Sequence, residues 1–102
     1  MSPMLRLPKL DHDTRLTASP RHLSCGLSEE AVILNLDNGL YYGLNEAGSH
    51  VWERLKSGTT FGGLVDALFD RFDAPRATIE DDLRALLAEL QQQGLIHIDL
   101  NG

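Results

Sequence analysis

Cys25 is the only cysteine in this chain. One cysteine forms no internal disulfide and, within a single chain, no cysteine-based metal cluster. To act as a nucleophile it would need a histidine beside it. As a small apolar strand residue it needs no partner, and that is the simpler reading. Long apolar runs are missing too. Nothing approaches the ~18 residues of a membrane span, and residues 1–10 hold no apolar stretch long enough for a signal peptide. A cytoplasmic protein is expected. Positive charge is scarce: 9 Lys and Arg stand against 15 Asp and Glu, a formal net charge of −6. Phosphate affinity comes mostly from clustered Lys and Arg. The balance therefore opposes a generic nucleic-acid binder, and it opposes an anionic membrane surface.

Catalytic patterns are equally sparse. The histidines His12, His22, His50 and His97 are scattered, and none falls in an HxxxH, HExxH or HxH spacing that would turn two imidazoles to one metal. Gly39, Gly43, Gly48, Gly62 and Gly63 form no phosphate-binding loop. Glu80, Asp81, Asp82 and Glu89 could be read as paired carboxylates, but solvation and the helix dipole explain them as residues of an exposed helix. No catalytic residue, metal or cofactor is expected, and the chain reads as a non-enzyme.

What remains is the make-up of one ordinary globular domain. It has 102 residues, 42% hydrophobic and 24% charged, enough for a modest core. Residues 1–14 carry Pro3 and Pro8 without periodicity and read as a flexible arm. Residues 15–102 read as the domain. The stretch 15–27 is weakly extended and interrupted by Pro20. Residues 31–36 form the most strand-like run, and residues 40–44 are its hairpin partner across Asp37-Asn38-Gly39. A two-residue turn would pair Leu36 with Tyr41. A three-residue turn with a left-handed Gly39 pairs Leu36 with Leu40. The second register is preferred because Val32, Leu34, Leu36, Leu40, Tyr42 and Leu44 then share one face.

Three helices follow. Asn45 caps the first, which carries Ala47, Val51, Trp52 and Leu55 on one face and stops at Gly58. Thr60 caps the second, with Phe61, Leu64, Val65, Leu68 and Phe72 in its stripe. Gly62 and Gly63 should fray its first turn. Thr78, with an acid three residues later, looks like the clearest cap of all. It would start a third helix bearing Ile79, Leu83, Leu86, Leu87 and Leu90, ended by Gly94. Residues 95–98 make a strand too short to stand alone. The expected class is α+β: winged helix-turn-helix-like, with a three-stranded antiparallel N-terminal sheet packed on three helices.

Such a scaffold offers two surfaces. Its third helix could read DNA, but it sets Glu80, Asp81, Asp82 and Glu89 against a single Arg84 and would be repelled by phosphate. Residues 40–44 could instead be an open edge to which an extended peptide adds as a strand. Tyr41 and Tyr42 point to opposite faces of that edge, so one can serve the core and the other a cleft. The plain alternative is that both tyrosines simply pack.

At Leu36-Asp-Asn-Gly-Leu-Tyr-Tyr-Gly-Leu-Asn-Glu-Ala-Gly-Ser-His-Val-Trp52 the chain resembles a known family. The likeness continues through Gly58-Thr-Thr-Phe61, Leu64-Val-Asp-Ala-Leu68, Asp81-Asp-Leu83, Leu87-Ala-Glu-Leu90 and Gly94-Leu-Ile96, and covers residues 20–98. The family is that of the precursor-peptide recognition elements typified by the pyrroloquinoline-quinone biosynthesis protein D. The resemblance implies a module without chemistry of its own. It would bind the leader segment of a ribosomally made precursor peptide as an added strand and hold it for a separate enzyme. The hairpin looks most like the standalone version that serves lasso-peptide synthesis, whose partners are a leader peptidase and a cyclase. Serving a radical enzyme in quinone-cofactor synthesis is the alternative, and a winged-helix DNA-binding regulator is a more distant one. Carried onto this sequence, the family's binding edge is Leu40, Tyr41, Tyr42, Gly43 and Leu44, and its helical wall is Asp82, Leu83, Leu86 and Leu87. Asp82 and Leu86 lie on one flank of that helix, Arg84 and Leu87 on the other; the Asp82 flank is favoured. The sequence departs from the family at Gly62-Gly63, where members usually carry acids. No nucleic acid or membrane is expected as partner, and the protein is expected as a monomer or an edge-paired dimer.

Overall fold

The computed structural model describes residues 10–20, 22–27 and 30–99, the side chains of residues 23–27 excepted. The element order is β1 (Arg15–Ala18), β2 (His22–Leu27), β3 (Glu30–Asn35), β4 (Tyr41–Leu44), α1 (Glu46–Ser57), β5 (Thr59–Thr60), α2 (Phe61–Arg71), α3 (Arg76–Gln92) and β6 (Ile96–Asp99). The class is α+β, with an antiparallel sheet of order β2-β3-β4 packed on three helices. A second small sheet has the order β5-β1-β6. The extended stretch expected over 15–27 is therefore two strands in two sheets, broken around Pro20. The short C-terminal strand gains its partner from the first half: β6 pairs with β1 from Arg15↔Asp99 to Ala18↔Ile96.

The hairpin takes neither expected register. Ile33 pairs with Tyr42 and Ala31 with Leu44, and the Asn35 N–H donates to the Leu40 carbonyl at 2.9 Å. The turn thus spans four residues, 36–39, and Gly39 closes it with φ of 72°. Ala31, Ile33 and Leu44 face the core, while Val32 and Leu34 lie on the opposite face, only partly buried. Asn35 explains the shift. Its side chain occupies a buried position, donates to the carbonyl of Gln93 and accepts the Asp37 N–H at 2.8 Å. Both faces of β3 are apolar, so periodicity alone could not choose between them. A buried amide satisfied on two sides fixes the choice.

Asn45 caps α1 as expected, its Oδ1 accepting the Gly48 N–H at 2.9 Å, and Gly58 ends it at φ of 84°. Thr60 caps α2 through Gly63 N–H at 3.0 Å. The expected fraying of α2 is overturned. The carbonyls of Thr14 and His12 accept the N–H groups of Phe61 and Gly62 at 3.0 and 2.9 Å. The donors that a helix start leaves unpaired are thus taken by a backbone segment lying across it. Gly62 permits that approach: a Cβ there would stand 3.0 Å from both Cβ and the carbonyl oxygen of His12. Of the arm expected over 1–14, residues 1–9 lie outside the described residues, and Leu10 is buried in the core. α3 begins earlier than Thr78, at Arg76 behind Pro75, and has no side-chain cap. Proline supplies a preset φ for entry into the helix.

The core joins β1, β3, the three helices and β6. Trp52, Phe61, Leu16, Ile33 and Leu55 are among its fully buried side chains, each worth roughly 1.5–3 kcal/mol as burial. Among the described residues no helix is long and apolar enough to cross a membrane.

Candidate functional site

β4 pairs with β3 on one side and, among the described residues, with no strand on the other. In an antiparallel ladder the residues alternate between turning their main chain toward the partner and away from it. Tyr42 and Leu44 sit in line with the Asn35–Leu40 hydrogen bond and face β3. The N–H and C=O groups of Tyr41 and Gly43 consequently point outward. The strand itself carries no guard: Tyr-Tyr-Gly-Leu contains no lysine, no proline and no charge, the usual devices that keep edges from pairing.

Side chains along the edge divide cleanly. Leu40 is 58% exposed and Tyr41 74% exposed, whereas Leu44 is buried. Gly43 is exposed, and Tyr42 is half-buried and packed against the core. The Tyr42 hydroxyl donates to Glu89 Oε2 on α3. Burial pushes the phenol pKa up to about 12, and the hydrogen bond and negative charge of Glu89 add to the shift.

Beside the end of β4 lies a groove of about 350 Å³. Its floor is apolar, built from Val51 of α1, Leu68 of α2, Leu83 and Leu86 of α3, and Phe72 beyond α2. Asn45 and Asp82 supply its polar atoms, with Asp82 exposed at the rim. Ala47 and Gly48 keep the α1 wall low; a Cβ on Gly48 would come within 3.1 Å of Leu44 Cδ2.

The structure thus gathers Asp82, Leu83 and Leu86 on the groove and sets Leu44 against its wall. Leu87 lies apart from them, fully buried in the core. Sequence reasoning missed Val51, Leu68, Phe72 and Ile79, which line the groove from their own helix stripes and the adjoining loop; periodicity marks them only as core. It also missed Glu89, whose partner is 47 residues away in the chain. The small Ala47-Gly48 pair was the available signal, since an amphipathic helix seldom leaves a shallow spot without something to fill it.

The other candidate residues do not converge. His12 Nε2 lies 3.7 Å from Glu80, His22 packs edge-on against Trp52, His50 packs edge-on against Phe72, and His97 is exposed on β6. Cys25 pairs with Val32 by its backbone; its side chain lies outside the described ones. Among the described residues no group of three or more His, Cys, Asp or Glu could hold a metal ion.

Fold and surface together define a winged helix-turn-helix-like α+β domain with a bare edge strand beside an apolar groove. The chain belongs to the PqqD family: the model of coenzyme PQQ synthesis protein D (PqqD) matches residues 30–96. Among solved structures it is similar to TbiB1 in complex with the TbiA(beta) leader peptide, at 33% identity and a TM-score of 0.75, covering 79% of this chain and 94% of that one. It also shares its fold with a lasso peptide synthetase B1 complexed with the leader peptide, at 22% identity and a TM-score of 0.71, covering 80% and 96% of the two chains. No curated protein sequence matches significantly.

Proposed function

We propose that this protein is a non-catalytic recognition module. It captures the leader segment of a ribosomally made precursor peptide as an added strand on β4 and holds it for a separate processing enzyme. The observation that carries this reading is the unguarded outward main chain of Tyr41 and Gly43, placed beside an apolar groove. Backbone pairing gives affinity without reading sequence; the groove that the three helices form beside the end of β4 reads side chains. Support comes from the 33%-identical relative, whose structure contains a leader peptide. Leu40, Tyr41, Tyr42, Gly43 and Leu44 form the edge in this reading, Asp82, Leu83 and Leu86 form the wall, and Leu87 backs the wall from the core.

Service to a leader peptidase or cyclase in lasso-peptide maturation is the favoured assignment, on the form of the glycine-closed hairpin. The PqqD family description favours a second assignment, a peptide chaperone in quinone-cofactor synthesis. Calorimetry against leader segments of the two kinds of precursor from the same genome separates them. Binding with a Kd of roughly 1 µM or below is expected for one. Tyr41→Pro removes an outward N–H and should abolish that binding while the circular dichroism spectrum is retained. Undiminished affinity in Tyr41→Pro would show that the peptide does not add at this edge.

A further inference from the structure

The hairpin is tied to α3 by two side-chain hydrogen bonds. Tyr42 donates to Glu89, and Asn35 donates to the carbonyl of Gln93. Along α3, Asp82, Leu86 and Glu89 follow one another at intervals of four and three residues, so they form one stripe of the helix, and Gln93 is its C-cap. That stripe is fastened to the hairpin at 89 and lines the groove at 82 and 86, and the helix end is fastened at 93 through a backbone carbonyl. From Glu89 back to Asp82 is ~10 Å along the axis, about three residues of extended chain. The space between the β4 edge and α3 is therefore closed at the hairpin end by the two ties, and the cavity, lined by α1, α2 and α3, lies past its Asn45 end.

We infer that the Tyr42–Glu89 pair is a positioning device for this groove: it holds α3 against β4 at the closed end and so sets the gap that an added strand must fit. The inference rests on the peptide-capture reading above. A strand laid on the Tyr41 and Gly43 backbone runs the length of the gap, with the β4 edge on one side and Leu86 on the other. A gap of fixed width is a preorganised site. A gap free to vary adds an ordering cost to every docking event. The two groups suit the task. The Tyr42 ring is packed against the core, which fixes where its hydroxyl stands. The Glu89 carboxylate is exposed, so removing the bond leaves no buried charge unpaired. The fold should survive the loss while the groove loses its setting.

The test uses the full chain and two fluorescein-labelled probes, the TbiA(beta) leader peptide and the leader segment of the precursor from the same genome. Tyr42→Phe and Glu89→Ala are each expected to weaken binding about fivefold, through the ordering cost of a gap no longer held. The double variant is expected to be no weaker than either single one, because each removes the same bond. Glu89→Gln, whose amide oxygen can still accept, should stay within about twofold of the unaltered protein. Thermal midpoints should fall by no more than roughly 4–8 °C, one hydrogen bond's worth, in the variants that lack the bond. Full affinity in Tyr42→Phe would overturn the inference. So would losses that multiply to about 25-fold in the double variant, which would mean that each side chain meets the peptide separately. If the unaltered protein binds neither probe, the peptide-capture reading itself is what fails.

Discussion

Gly62→Ala should destabilise this protein, against the usual expectation for an exposed helix. Replacing glycine by alanine inside a helix gains up to about 1 kcal/mol, and less within the first turn. Here the added methyl would stand 3.0 Å from His12 Cβ, 3.0 Å from its carbonyl oxygen and 3.4 Å from its Cα. Two of those three atoms are backbone, so the segment cannot yield by a rotamer change. It must move off the helix. The move would break the bonds from Gly62 and Phe61 to His12 and Thr14, each worth about 0.5–1.5 kcal/mol. It would also loosen Leu10, which is 7% exposed and worth roughly 1.5–3 kcal/mol when fully buried. The expected net loss is about 1–3 kcal/mol, a fall in midpoint of roughly 4–8 °C per kcal/mol in a domain of this size. Urea and thermal denaturation measure it. The decisive control is the same substitution in a chain lacking residues 1–13. There the obstacle is gone, and Gly62→Ala should stabilise by a few tenths to about 1 kcal/mol. A stabilising effect in the full chain, or the same sign in both backgrounds, would refute the docked segment.

Three further outcomes can be checked. Asn35→Ala should cost about 1–3 kcal/mol, because it removes the buried side chain that bonds the Gln93 carbonyl and the Asp37 N–H; chemical denaturation reads this directly. The Tyr42 phenol holds its proton more tightly in the folded chain, so its contribution to stability is complete below pH 10.0 and is lost as pH rises through about 12; tyrosinate absorbance should show a step near pH 12 that Tyr42→Phe removes. Leu86→Glu should weaken leader binding at least tenfold with little effect on stability, since Leu86 lines the groove and is only partly buried.

Elements with strong local signals were legible in the sequence. Asn45, Gly58 and Thr60 cap as their chemistry dictates, because capping is settled within four residues. Val51, Trp52, Leu55, Leu64 and Leu83 are buried as their spacing implies. Features decided by distant partners were not legible. The register of the hairpin depends on Asn35 reaching the end of α3, 58 residues away. The glycine pair at the start of α2 looks like a weakness until the segment holding His12 is laid across it. Thr78 carried a plausible capping pattern, but the chain turns helical two residues earlier, at Arg76, directly after an extended Pro75 at the N-cap. The candidate edge could be read from the order of strands. The groove beside it could not, because Val51, Leu68, Phe72 and Leu86 come from three helices and a loop, and only folding brings them together.

Gly43 has a consequence of a different kind. Its backbone is not left-handed, and among the described residues nothing beyond its two chain neighbours lies within 4 Å of where a side chain would begin. The domain has no internal use for a glycine there, and glycine in a strand costs about 0.5–1 kcal/mol relative to alanine. Gly43→Ala should therefore leave a protein at least as stable as before, and any change it makes to docking reports on the surroundings of the edge alone. Position 43 is a point where foldedness and recognition can be adjusted independently. A cysteine introduced there would carry a reporter on the outer face of β4 without disturbing the core, in a chain whose only other thiol is Cys25.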